Sequence, residues 1–217
     1  MTAITSQQEY AYIDSDAQHH HAYILEPILE FLDQSLSSPE TKALHILDLG
    51  CGNGSISRYL AQQGHSVIGV EPSSSGIKFA QEQESNCTFI QAGIEDLPYE
   101  KLEHQFDVVI SSEVIEHLLY PRELIRASKR CLKPGGRLIL TTPYHGYWKN
   151  LAIAIMGKMD SHFSPLWDGG HVKFFSHKTL SKLMEQEGLT QIQFKFAGRY
   201  PYLWKSMIGS GIVTDKS

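Results

Sequence analysis

The stretch Ile46-Leu47-Asp48-Leu49-Gly50-Cys51-Gly52-Asn53-Gly54 constrains this chain more than any other. It reads as a short buried strand running into a glycine-rich turn, with a helix starting between Ser55 and Arg58. Glycines at alternate positions let the loop take positive φ and bring its backbone flush against a ligand. The helix that follows points its unsatisfied N-terminal N–H groups at the same spot. A strand, turn and helix of this kind opens a nucleotide-binding α/β domain.

From Ala43 onward, strand and helix patterns alternate, which predicts a parallel sheet with helices on both faces. Strands are expected at 44–49, 66–70, 87–91, 106–111 and 137–142, with helices at 56–63, 74–84 and 122–131. Pro134-Gly135-Gly136 reads as the turn before the fifth strand. After Pro143 the alternation lapses, and residues 144–171, rich in aromatic side chains, read as a lid insertion. Helix and strand resume at 178–187 and 190–196, and 202–213 supplies a last strand. The expectation is a doubly wound α/β fold: a mostly parallel seven-stranded sheet with flanking helices and a lid after the fifth strand. Upstream, Ala22, Leu25, Ile28, Leu29 and Leu32 have the spacing of an amphipathic helix over 17–36. Residues 1–42 are therefore expected to form a helical segment ahead of a domain at 43–217. His19, His20 and His21 point in three directions on such a helix, so at least two should face solvent; one lining the active-site mouth is the sharper alternative.

The dinucleotide fingerprint is Gly-x-Gly-x-x-Gly. Here Gly50, Gly52 and Gly54 follow Gly-x-Gly-x-Gly, and the third dinucleotide position falls on Ser55. Asp48, inside the strand end, would repel a pyrophosphate and suits a cationic ligand group. Glu71, at the end of the second strand, is placed to accept hydrogen bonds from ribose hydroxyls.

DLGCGNG followed by VIGVEPS resembles the first two motifs of the class I S-adenosylmethionine-dependent methyltransferases, whose fold is Rossmann-like. The similarity continues through FDVVISSEVIEHL, LKPGGRLILTTP and GGHVKFFSHKTLSKLMEQEGL, covering roughly residues 43–196. The resemblance implies that Asp48, Gly50, Gly52 and Gly54 hold the amino-acid and ribose part of S-adenosylmethionine, and that Glu71 binds the ribose hydroxyls. Ser112 or Glu113 would lie near the methyl-bearing sulfur. Where the family often has Asp-Ala against the adenine, this chain has Gly93-Ile94, with Glu95 and Asp96 next. Backbone groups of Gly93 and Ile94, or a shifted carboxylate, would make that contact.

On a helical turn Glu113, Glu116 and His117 would share one face, and His171 beyond the lid could join them as a fourth ligand for a divalent cation such as Mg²⁺. The pattern is similar to the Glu-x-x-Glu-His motif, completed by a distant histidine, of two metal-dependent groups. One comprises the ubiquinone-pathway O-methyltransferases and the other the enzymes that methylate the terminal 2′-hydroxyl of small RNAs. Two other readings stay open: His117 as a substrate-side base without metal, and simple packing. Methyl transfer asks mainly for alignment, worth about 7–11 kcal/mol. A hydroxyl acceptor also needs a base, typically worth about 10²–10⁴-fold, or a metal that lowers its pKa. Both routes point to His117, with His171 or Glu113 as helpers.

A small or medium-sized acceptor, with oxygen the expected acceptor atom, is sought among Tyr144, Tyr147, Trp148, Phe163 and Trp167, with His145, His162 and His171 as polar handles. The same aromatics could instead merely cap the sheet. Residues 144–158 also read as an amphipathic helix with Lys149 and Lys158 beside apolar positions, which would allow transient contact with a membrane surface. With a net charge of −5 and no basic run longer than Lys129-Arg130, an electrostatically driven nucleic-acid binder is disfavoured. Cys51, Cys87 and Cys131 lack any paired spacing, which suggests a reducing compartment. The amino terminus lacks a signal-peptide pattern, and the longest helix-compatible apolar run, 151–156, is far short of the ~20 residues of a membrane span. A cytoplasmic monomer or homodimer is expected. The rivals are a non-catalytic S-adenosylmethionine-binding partner protein, against which the full motif set argues, and a nicotinamide-dependent oxidoreductase, which the glycine spacing disfavours.

Overall fold

A computed structural model of the chain describes residues 21–36, 43–82 and 86–214. Its seven strands are β1 (His45–Leu49), β2 (Ser66–Glu71), β3 (Thr88–Gln91), β4 (Phe106–Ser112), β5 (Leu132–Pro143), β6 (Leu189–Ala197) and β7 (Ser206–Val213). They form one sheet in the order β3-β2-β1-β4-β5-β7-β6. The first five strands run parallel and β7 is antiparallel to both β5 and β6. The helices are α1 (His21–Asp33), α2 (Ser55–Gln62), α3 (Ser74–Glu82), α4 (Tyr99–Leu102), α5 (Pro121–Cys131), α6 (Tyr147–Ile155), α7 (Met159–Phe163) and α8 (His177–Gln186).

The central strands are apolar on both faces because helices cover both. Ile46, Val108, Ile110 and Ile139 point to one core with Ile24, Ile28, Phe31 and Leu32 of α1 and Ile56 and Leu60 of α2. Leu47, Leu49, Val109, Leu138 and Leu140 alternate to the other core, against Leu124 and Ile125 of α5 and Leu180 and Met184 of α8. Each fully buried aliphatic side chain contributes about 1.5–3 kcal/mol, so the β1–β4–β5 centre is the rigid base for everything at its tips.

The chain winds outward from β1 to β3 and then returns to pair β4 with β1 on its other side. That reversal opens a crevice beyond the carboxyl ends of β1 and β4, the place where open α/β sheets bind ligands.

Three local expectations differ from the structure. Pro134-Gly135-Gly136 lies within β5: the ladder steps from Phe106↔Leu132 to Val108↔Arg137, so residues 133–136 bulge out, with Gly135 at φ 76. The last strand starts at Ser206, because the preceding residues turn, with Arg199 and Tyr202 at positive φ. The helix read over 144–158 is shorter, α6 at Tyr147–Ile155, and a second, α7, follows the break at Gly157 with φ 65. His19 and His20, and the remainder of 1–20 and 37–42, lie outside the described residues.

Candidate active site

The glycine loop hangs from β2. The N–H groups of Gly50 and Cys51 both donate to the Val70 carbonyl, at 2.7 and 3.0 Å. Gly50, Gly52 and Gly54 have φ of 79, 56 and 75, the left-handed region where other residues are strained. A Cβ on Gly50 would also stand 2.4 Å from Val114 Cγ2, so the loop after β4 closes directly onto this turn. Glu71 ties the loop from the side: its carboxylate accepts from Gly52 N–H and Ser73 N–H, each at 3.0 Å. Asp48 is 1% exposed and accepts from the Ser57 hydroxyl at 2.6 Å. Burial, reinforced by Glu71, outweighs that bond and pushes its carboxyl up to about 6.

Beyond β3, Gly93 precedes a 3₁₀ turn at Ile94–Asp96, and the Asp96 carboxylate folds back to accept from Gly93 N–H at 2.6 Å. The shifted acidic residue therefore occupies the Gly93 backbone donor. Ile94 packs against the core.

At the tips of β4 and β5 the two glutamates part company. Glu113 has φ 54 and precedes a 3₁₀ turn at Ile115–His117, so the shared helical face does not exist. Its backbone N–H donates to the carbonyl and the hydroxyl of Thr141, and the same hydroxyl donates to Glu113 Oε1 at 2.9 Å. Ser112 Oγ also lies 3.0 Å from that hydroxyl. Glu116 is held instead by Thr142, whose hydroxyl donates to Oε2 at 3.0 Å. Thr141 and Thr142 are adjacent on a strand and leave opposite faces, which separates the carboxylates they hold. Burial pushes both glutamates up, and Glu113 adds to the rise at Glu116.

Glu116, His117 and His171 form the cluster, with one ligand atom from each lying within 4.8 Å of the others; Glu113 is outside it. Glu116 is 1% exposed, its Oε1 has no hydrogen-bond partner, and His171 Nε2 stands 4.0 Å from it. The backbone carbonyl of Glu116 accepts from Val172 and Lys173 N–H, which brings His171 back to the strand tips. His117 Nδ1 lies 3.0 Å from the Gly169 carbonyl. A carbonyl only accepts, so Nδ1 is the donor in this bond, and in the neutral ring Nε2 carries the lone pair. Burial, with His117 and His162 nearby, pushes His171 down to about 4. Trp167 closes the cluster edge-on to His117 at 5.9 Å.

Behind it, the lid gathers His145, Lys149, Asn150, His162, Phe163 and Phe174. Lys149, expected at the polar margin of the lid helix, is buried because its ammonium donates to the carbonyls of Tyr144 and Lys205. Tyr147, Trp148, Leu151 and Ile155 lie exposed on the same helix. Sequence reasoning missed Ser57, Val114, Thr141, Thr142 and Lys149. Only the threonines carried a signal, as the polar pair ending the apolar run LILTTP.

A family model described as "Methyltransferase domain" matches residues 17–193. The chain is 32% identical over 189 residues to the ubiquinone biosynthesis O-methyltransferase of Roseobacter denitrificans, covering 84% of this chain and 75% of that one. It is 28% identical to the human mitochondrial protein of the same name, over 85% of this chain and 52% of the human one. In fold it is similar to the magnesium protoporphyrin IX methyltransferase of Synechocystis, solved with bound S-adenosylhomocysteine: TM-score 0.68, 19% identity, 94% of this chain and 91% of that one. With the glycine loop at the switch point and these matches together, the chain belongs to the methyltransferase-domain family and is a class I S-adenosylmethionine-dependent methyltransferase.

Proposed function

We propose that the protein transfers a methyl group from S-adenosylmethionine to an oxygen of a small or medium-sized acceptor bound between the Glu116–His117–His171 cluster and the lid. The observation that carries this reading is the buried, unpartnered Glu116 Oε1 beside two imidazoles, across the crevice from the glycine loop. The O-methyltransferase relatives support oxygen as the acceptor atom.

On the donor side, Asp48 and the loop of Gly50, Gly52 and Gly54 take the amino-acid and ribose part, and Glu71 takes the ribose hydroxyls. Gly93 and Ile94 border the adenine, and Ser112 stands by the sulfur. Donor binding would leave Glu71 sharing its oxygens between ribose and the loop N–H groups it already holds. Asp48, sealed and poised near pH 6, is suited to releasing its proton as a cationic amino group arrives.

On the acceptor side, two imidazoles and a carboxylate fit a divalent cation held by Glu116, His117 and His171. This donor set suits Mn²⁺, Fe²⁺ or Zn²⁺ better than Mg²⁺, which prefers oxygen ligands. Such a cation would supply charge that lowers the pKa of an acceptor hydroxyl. The Gly169 carbonyl orients His117 for this role. The same pinning leaves His117 Nε2 available as a base without a cation, with Glu116 and His171 as its polar neighbours. EDTA separates the two: abolished turnover restored by Mn²⁺ supports the cation site, and chelator-insensitive turnover leaves the histidine base.

The exposed face of Tyr147, Trp148, Leu151 and Ile155 suits brief contact with a membrane surface, which vesicle flotation tests. No helix among the described residues is long and apolar enough to cross a membrane. Three free cysteines fit a reducing, cytoplasmic setting, for a monomer or homodimer.

A further inference from the structure

The lid holds more basic groups than counter-charges. Lys149 is 6% exposed, and its ammonium donates to Tyr144 O at 2.8 Å and, more loosely, to Lys205 O at 3.4 Å. An ammonium carries three donors, so one is left over. Arg199, in the turn between β6 and β7, is near enough to repel both Lys149 and His162. His145 and His162 stand 5.4 Å apart, ring centre to ring centre, and each is repelled by Lys149. Burial, followed by this mutual repulsion, holds Lys149 down to about 8 and His145 to about 4. The carboxylate that acts on Lys149 is Glu113, and its own bonds go to Thr141 and Ser206.

Two ring nitrogens, His145 Nδ1 and His162 Nε2, are buried without a hydrogen-bond partner, and His145 as a whole is 8% exposed. Asn150 lies beside His145 but its Oδ1 closes no bond of ordinary geometry; its amide can turn the NH₂ inward instead. Aromatic walls complete the place. The His145 ring stacks on Phe163 at 5.7 Å, and Phe174 meets Phe163 edge-on at 4.9 Å. A buried ammonium with a donor to spare is costly unless a negative group sits beside it, and a neutral imidazole can turn its one N–H toward such a group.

We infer that the lid is an anion subsite in which Lys149, with His145, His162 and Arg199 around it, takes a carboxylate of the methyl acceptor while Phe163 and Phe174 pack on the acceptor's apolar body. This rests on the reading of the lid as the acceptor side. The one buried cation is Lys149, with Arg199 at the exposed rim, so a monoanion is matched in the buried part of the site and a phosphate dianion is not.

The test is a calorimetric titration of the full chain, loaded with S-adenosylhomocysteine, with the isosteres benzoate and benzamide. Benzoate should bind about tenfold more tightly or better, the scale of one hydrogen bond to a charged group. Lys149→Met should erase that preference, and Arg199→Gln, at an exposed position that leaves the lid packing intact, should reduce it about threefold. S-adenosylhomocysteine affinity should be unchanged in both variants. Equal affinity for the two probes in the wild type overturns the inference. So does a preference that survives both substitutions, or inorganic phosphate displacing benzoate at lower concentration. A wild-type protein that fails to bind S-adenosylhomocysteine would instead sink the donor-site reading, so the two failures are distinguishable.

Discussion

On the β1–β2 side of the crevice Asp48 is bonded to Ser57, and Glu71 to the backbone of Gly52 and Ser73. On the β4–β5 and lid side Glu116 Oε1, His145 Nδ1, Asn150 Oδ1 and His162 Nε2 are buried and bonded to nothing. Among the described residues these are all the buried side-chain polar atoms without a partner, and they fall on one lip. A self-satisfied lip is a preformed cradle that binds without rearranging. A lip with unmet groups is completed by what it binds, because each such group costs about 1–3 kcal/mol until it is paired. The donor of a methyltransferase is invariant and its acceptor is what distinguishes one enzyme from the next, so the contrast matches the division of labour proposed here.

The largest effect that would break this contrast is at Gly50. Gly50→Ala places a Cβ at φ 79 and 2.4 Å from Val114 Cγ2. It should cost about 2–4 kcal/mol in urea denaturation, of which backbone strain is about 1–2, and abolish donor binding. Adding Val114→Ala should relieve the clash and leave the strain. A Gly50→Ala protein as stable as the wild type would mean that the loop is not held as described.

The next effect, about 3 kcal/mol at most, comes from Asp48. Its folded pKa of about 6 lies above the unfolded value of about 3.9. The fold therefore favours the neutral acid, and this stabilisation is present below about pH 4 and lost as pH rises through about 6. Asp48→Asn should flatten that part of the stability–pH curve. In the wild type, donor affinity should rise over the same interval, because binding a cationic amino group favours the carboxylate. Parallel curves for the two proteins would contradict the assignment.

The smallest effect sharpens the other lip. Ile155, exposed on α6, should tolerate serine within about 0.5 kcal/mol of stability, while a vesicle binds the variant more weakly. A large loss of stability would show that the lid face is structural.

The geometry of the β1–β2 lip was largely legible in the sequence, because its determinants are local. The glycine spacing, Asp48 within β1 and Glu71 at the end of β2 follow from strand period and backbone sterics. The alternation of strands and helices likewise set the sheet, apart from the bulge at 133–136, which depends on how β5 registers against β4. The β4–β5 and lid side was legible only in part: Glu116, His117 and His171 come together as expected, whereas Glu113 and Lys149 depart from expectation because their determinants are tertiary. Glu113 leaves the expected helical face because Thr141, distant in sequence, grips its backbone and carboxylate. Lys149 looks like a surface lysine until the carbonyls of Tyr144 and Lys205 are brought to it.

Glu71→Gln and Glu116→Gln, assayed side by side for S-adenosylmethionine affinity by calorimetry and for turnover, test the division between the lips most directly. Glu71→Gln should weaken donor binding about tenfold or more. Glu116→Gln should leave it within about twofold and lower turnover about a hundredfold or more. Donor affinity that falls equally in both variants, or turnover untouched by Glu116→Gln, would contradict the account.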